Sequence, residues 1–338
     1  MKSKTSILPL ALSLFIGLGT ATPLSYIALP TPIVSADSSY ATDDERHETL
    51  TADDWYNRGY DAQTAEPARY QEAIQCYTKA IRLDPTYTYA YNNRGGVYYK
   101  LKQYAKAIMD FTETIRLEPT SANAYYNRGL AYYDLNQFEK AVRDYTETIR
   151  LDPNYADAYN NRGNAYKNLQ QYEKAITDYT EAIRLNANDA TAYYNRGIAY
   201  NETQQFKRAV LDYTEAIRLK PSYATAYNNR GNSYRDLNQY EQAIQDYTEA
   251  IRLDANYATA YLNRGNAYYD EAEYESALAD HMEAIRLEPT ARTYYDRGWD
   301  YFMLGDYASA YSDAQTADRL NAGEADDLLK ALEAHGYQ

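Results

Sequence analysis

Asn-Arg-Gly is the triplet in this sequence best equipped for recognition chemistry, and it recurs. Its Arg-Gly step falls at Arg58, Arg94, Arg128, Arg162, Arg196, Arg230, Arg264 and Arg297. A side-chain amide offers both donor and acceptor, so it can match a peptide N–H and C=O without reading side chains. A guanidinium is a fork for carboxylates. Groups that would point to catalysis are missing. There is no G-x-x-x-x-G-K phosphate loop, and His47, His281 and His335 lie far apart in sequence. The single cysteine, Cys76, can form neither an intramolecular disulfide nor a thiolate cluster, and it reads as a packing residue. The expected chemistry is binding, with no enzyme activity, cofactor or metal.

The elements that must position these groups follow from their spacing. Steps between successive Arg-Gly pairs are 36, 34, 34, 34, 34, 34 and 33 residues. Such a period marks a repeat array, in which each unit buries its apolar face against its neighbours. In the unit at 156–189, residues 156–169 read as one helix and 172–185 as a second, with a short turn between. Links such as Asp152-Pro153-Asn154-Tyr155 punctuate the units. At about 100° per residue, Tyr159, Gly163 and Tyr166 (unit positions 4, 8 and 11) share a stripe. Tyr172, Ala175, Tyr179 and Ala182 (positions 17, 20, 24 and 27) share a facing one. A helix-interior Gly costs about 1 kcal/mol against Ala. Its recurrence predicts a crossing with no room for a side chain.

These residues resemble the tetratricopeptide repeat: aromatic 4, Gly 8, Tyr 11, Ala 20, aromatic 24, Ala 27 and Pro 32. Trp55 fills position 4 of the first unit. Ala73, Ala107, Ala141, Ala175, Ala209, Ala243, Ala277 and Ala310 fill position 20, and Pro85, Pro119, Pro153, Pro221 and Pro289 fill position 32. The resemblance implies an all-α, right-handed superhelical solenoid of eight helix–turn–helix units at 52–87, 88–121, 122–155, 156–189, 190–223, 224–257, 258–290 and 291–324. Apolar spacing at Ala325, Leu328, Leu329 and Leu332 predicts a capping helix over 325–338. Departures are local: two extra residues near 64–67, one missing before unit 8, and His281 and Ala314 at position 24. His281 is expected to pack, not to ligate.

The face opposite the packing stripe, at positions 2, 5, 6, 9 and 13, lies about 100–200° away. Position 6 reads Asn57, Asn93, Asn127, Asn161, Asn195, Asn229 and Asn263, then Asp296. In the family this face lines the concave groove. The asparagine ladder resembles the peptide groove of O-linked N-acetylglucosamine transferases, where amides grip backbone. Neighbouring candidates are Tyr126 and Tyr194, with Tyr56 and Tyr295, at position 5, and Asn164, Asn232 and Asn266 at position 9. Simple duplication of a polar face is the bland alternative. The lysine clamp of chaperone-binding members is absent, since position 5 holds no lysine. Arginine at position 7 borders the packing stripe. It is expected to pair with Asp144, Asp178, Asp212 and Asp246 (position 23) or Glu147, Glu181, Glu215 and Glu249 (position 26), each rung modest where exposed. Most of the 42 tyrosines fall on scaffold positions.

Acids outnumber bases 48 to 34. That charge disfavours nucleic acid and anionic lipid and suits a basic or neutral polypeptide partner. Lys2 and Lys4, the apolar run at 7–18 and the small residues before Asp37 read as a secretory signal cut after Ala36. An uncleaved anchor over residues 6–29 is the alternative. With a polar, acidic linker at 37–51, the chain is expected in the periplasm, envelope or medium. Two functions fit: holding an extended partner segment in the Asn/Tyr groove, or scaffolding an envelope or membrane complex through the convex face or edges.

Overall fold

Each unit begins where a polar link ends. The computed structural model describes residues 50–337, so the proposed signal and most of the proposed linker lie outside the described residues. The first four units comprise α1 (Ala52–Thr64), α2 (Tyr70–Leu83), α3 (Thr88–Lys100), α4 (Tyr104–Leu117), α5 (Ala122–Asp134), α6 (Phe138–Leu151), α7 (Ala156–Asn168) and α8 (Tyr172–Leu185). The next four comprise α9 (Ala190–Glu202), α10 (Phe206–Leu219), α11 (Ala224–Asp236), α12 (Tyr240–Leu253), α13 (Ala258–Asp270), α14 (Tyr274–Leu287), α15 (Ala291–Met303) and α16 (Tyr307–Leu320). A short α17 (Asp326–Glu333) follows, narrower than the expected 325–338. The first helix of the fourth unit stops at Asn168, one residue before the expected end, because Leu169 already leaves helical geometry.

Punctuation has identifiable causes. Thr51 and Asp54 form a reciprocal capping box at the start of α1. Between units, the Asp152 carboxylate accepts the Asn154 N–H at 3.0 Å, closing the link after α6. Within units, the turn needs a left-handed residue at position 15. Lys102, Asn136, Gln170, Gln204, Asn238 and Ala272 have φ of 56–61°, and Gly305 has 82°. That residue lets Gln171 N–H reach back to the Tyr166 carbonyl at 2.8 Å.

The two helices of a unit cross at the repeated glycine. A Cβ added to Gly163 would stand 2.7 Å from Cε1 of Tyr179, and the same contact joins Gly197 to Tyr213 and Gly231 to Tyr247. Unit 8 has Ala314 in place of the ring, and Leu328 of α17 reaches over Gly298 instead. With Leu332 also fully buried, α17 caps the array as expected.

First helices of successive units touch (α3 with α5, α5 with α7), while the second helices of successive units do not among the described residues. The array therefore curves, with first helices on the inner face. The result is a helical solenoid. No described helix is long and apolar enough to cross a membrane.

Candidate binding groove and its supporting ladders

From Arg94 to Arg264, the arginine of each triplet joins three helices. Arg162 of α7 donates from Nε and Nη2 to the two carboxylate oxygens of Asp178 in α8, both at 2.7 Å. Its Nη1 donates to Thr146 Oγ1 in α6 of the preceding unit at 3.1 Å. The guanidinium also lies 5.7 and 5.9 Å from the ring centres of Tyr159 and Tyr166. The fork on aspartate recurs at Arg94, Arg128, Arg196, Arg230, Arg264 and Arg297. Burial pushes the Asp178 carboxyl up, and the guanidinium pulls it back.

This sharpens one expectation and corrects another. Position 23 supplies the partner; position 26 does not, because Glu181 pairs with Arg184 on its own helix. Nor are the rungs exposed: side chains of Arg162 and Asp178 are 16% and 5% accessible. Arg297 lacks the bond to the preceding unit, where Met282 replaces threonine. Tyrosines at positions 4 and 11 are half-buried around the arginine, whereas Tyr145, Tyr179, Tyr213 and Tyr247 at position 24 are fully buried.

Asparagines of position 6 form a second ladder, on the inner helices. Those of units 2 to 7 donate their amides to the position-5 side chain of the preceding unit. Asn93, Asn161 and Asn229 donate to the hydroxyls of Tyr56, Tyr126 and Tyr194 at 3.0, 2.9 and 3.1 Å. Asn127, Asn195 and Asn263 donate to Oδ1 of Asn92, Asn160 and Asn228 at 3.4, 3.5 and 2.9 Å. Unit 8 breaks the pattern consistently: Leu262 cannot accept, and Asp296 instead takes a bond from Arg292.

Surface availability differs along this ladder. Asn57, Asn161, Asn229 and Asn263 keep partial access, while Asn93, Asn127 and Asn195 are buried. Oδ1 of Asn93 and of Asn127 is enclosed without a partner. Contrary to the expectation that it offers contact area, Tyr126 is 1% exposed, and Tyr56 is fully buried. The ring of Tyr126 lies tilted against Tyr155 and Tyr145, with centres 4.8 and 5.9 Å away, and these two rings cover it from solvent. Tyr194 makes the equivalent contacts with Tyr223 and Tyr213 but stays partly open. At position 9, Asn164 and Asn232 accept from the buried hydroxyls of Tyr179 and Tyr247, each at 2.8 Å. Asn266 is half-buried, in a unit that has His281 in place of the position-24 tyrosine.

Models of the "TPR repeat" match residues 69–102, 95–136, 129–170, 163–204 and 231–271. Further "Tetratricopeptide repeat" models match 190–223, 212–245 and 258–290. The chain belongs to the tetratricopeptide repeat family. Among solved structures it is similar to pilF of Pseudomonas aeruginosa, at 21% identity over 62% of this chain and 97% of that one, with a TM-score of 0.55. It is also similar to the Cut9–Hcn1 hetero-tetramer of the APC/C, at 18% identity over 83% of this chain and 54% of that one, with a TM-score of 0.56. YrrB, described as a TPR protein with an unusual peptide-binding site, aligns at 21% identity over 55% of this chain and 96% of its own, with a TM-score of 0.50. At these identities the likeness is one of fold. No curated protein matches the sequence.

The tetratricopeptide units carry a third inner-face ladder that the sequence reading missed, between position 12 and position 13 of the next unit. Tyr99 donates to Asp134 at 2.6 Å, Asn168 donates to Tyr133 at 2.8 Å, and Arg235 donates to Asp270 at 2.7 Å. Lys167 holds position 12 of the fourth unit; burial pushes its ammonium down, and Glu202 works against that. No fixed residue type marks these positions, so only the opposition of donor types one unit apart could have signalled them. Among the described residues, no group of three or more His, Cys, Asp or Glu is placed to hold a metal ion.

As a tetratricopeptide repeat protein the chain is a protein-interaction module. What remains available on its inner face is a run of partly open amides and hydroxyls: Asn161, Asn229, Asn263 and Asn266, with Thr191, Thr225 and Thr259 at position 2.

Proposed function

We propose that this protein holds an extended segment of a partner polypeptide along the inner face of the solenoid, after export and removal of residues 1–36. One observation carries the reading. First helices of successive units touch, which sets partly open Asn and Thr side chains from neighbouring units in one continuous line. Because each position-6 amide from Asn93 to Asn263 is already held by the preceding unit, it meets a ligand without losing rotamer freedom. Each hydrogen bond is worth about 0.5–1.5 kcal/mol net, so affinity would have to accumulate over several units.

Charge supports a basic partner and gives it a direction. Residues 258–338 carry sixteen acids against six bases, whereas residues 52–257 are nearly balanced, with 27 against 25. A segment rich in Lys or Arg would lie with its basic end toward units 7 and 8.

Affinity capture from an envelope extract with the chain starting at Asp37 tests the reading. Replacing Thr191, Thr225 and Thr259 together by Arg should abolish capture. Replacing Met109 and Leu211, which protrude 71% and 70% exposed from α4 and α10, by Glu should leave it intact. The reverse result would reject the groove and support a scaffold that binds through its second helices. The two protruding side chains are the observation that favours this second reading. N-terminal sequencing of the exported chain should begin at Asp37; a retained Met1 would support the anchor.

A further inference from the structure

His281 and Asp300 stand where every other unit boundary has an aromatic ring facing a small side chain. Position 24 is Tyr or Phe in units 1 to 6, and position 10 is Val, Ala or Ser in units 2 to 7. Here His281 of α14 meets Asp300 of α15 with Nδ1 and Oδ2 at 2.5 Å, both residues at most 1% exposed. Nε2 of His281 and Oδ1 of Asp300 are enclosed without partners. The imidazole edge is pressed on Gly265, where an added Cβ would lie 2.5 Å from Nε2. Two charge-bearing groups, both buried from solvent, therefore close the junction between units 7 and 8.

We infer that His281 and Asp300 form a proton-operated latch that holds the terminal module, α15 to α17, against unit 7, and that loss of the pair's shared charge-neutralising proton loosens it. With that proton the pair is neutral overall. Without it, an uncompensated carboxylate is left in a site closed to solvent, which is a costly arrangement. The surroundings do not compensate. From α15 the pair faces Asp296 and Arg297, but Arg297 is committed to Asp313 of α16. From α14 it faces Asp280, already engaged by Arg264 of α13. From α13 it faces Tyr269, with Asp270 behind it. Unit 8 also lacks the arginine-to-threonine bond that fastens other units, because Met282 stands at that position. The latch thus acts at a junction that lacks the arginine-to-threonine bond of the earlier units.

Direction follows from both groups. Burial pushes the Asp300 carboxyl up to about 6, with the His281 bond opposing. Burial disfavours charge on His281, but the bond to Asp300 together with the charges of Asp300, Asp296 and Asp280 outweighs it and raises the imidazole above its ordinary value. A group raised in the folded state stabilises it below the unfolded value and loses that contribution as pH rises through the folded value. The pair therefore fastens the module in acid and releases it as pH rises, Asp300 contributing through about 6 and His281 above its ordinary value.

Hydrogen exchange of the full exported chain, corrected for intrinsic rates and compared at about pH 5.5 and about pH 8.5, reads the latch. Protection of α15 to α17 should fall about tenfold or more at the higher pH relative to α7 to α10. The double variant H281Y/D300A restores the pairing of the other units and should remove that difference. An unchanged difference in the double variant, or none in the natural chain, would overturn the proposal. If the variant does not fold, NMR titration of the His281 ring in the natural chain decides. A midpoint above the ordinary histidine value supports the latch, and one at or below it rejects it.

Discussion

The ring of Tyr179 lies across Gly163 so closely that a single methyl group on that glycine would stand 2.7 Å from the ring. Replacing Gly163 by Ala gains about 1 kcal/mol of helix propensity, but it forces Tyr179, which is fully buried, to shift. Overpacking of this kind costs about 1–3 kcal/mol. Urea unfolding should therefore show a net loss of stability; a gain would mean that the crossing relaxes freely.

The arginine forks separate buried from exposed ion pairs. Asp178→Ala leaves the Arg162 guanidinium largely enclosed without its carboxylate and should destabilise by about 3–5 kcal/mol. Arg162→Lys should also lose stability, since an ammonium cannot make both bonds and reach Thr146. Glu181→Ala breaks only a surface pair with Arg184 and should leave the unfolding midpoint within error.

Ala272 occupies the left-handed turn of unit 7 at φ 61°, where Gly305 serves unit 8. An L-residue pays about 1–2 kcal/mol there that glycine does not. Ala272→Gly should raise the thermal midpoint, despite the added freedom of the unfolded chain. A drop in the midpoint would show that the methyl group packs usefully.

Leu328 reaches over Gly298 in place of a position-24 ring. Leu328→Ala should cost about 2–5 kcal/mol locally. The loss should appear as faster hydrogen exchange in α15 to α17 and not in α5 to α10, because each unit is held only by its neighbours.

Tyr126→Phe removes the acceptor for the Asn161 amide at the unit 3–4 junction. A loss of about 1 kcal/mol of stability is expected, and capture by the folded variant should weaken, because the Asn161 amide is no longer held for a ligand. Undiminished capture would show that the amide need not be held in place to bind.

Sequence alone determined the repeat period, the helix pairs, the glycine crossing and the presence of an arginine–carboxylate ladder. These follow from a 34-residue period and from phase along single helices, both local properties. Tertiary structure decided what happens between units. It assigned Arg162 to Asp178 and Thr146 and not to Glu181, joined Asn161 to Tyr126, sank Tyr126 beneath Tyr155, and set His281 against Asp300. Helical phase says which way a side chain leaves its own helix. It says nothing of the rotation from one unit to the next, and that rotation selects which neighbour each side chain meets.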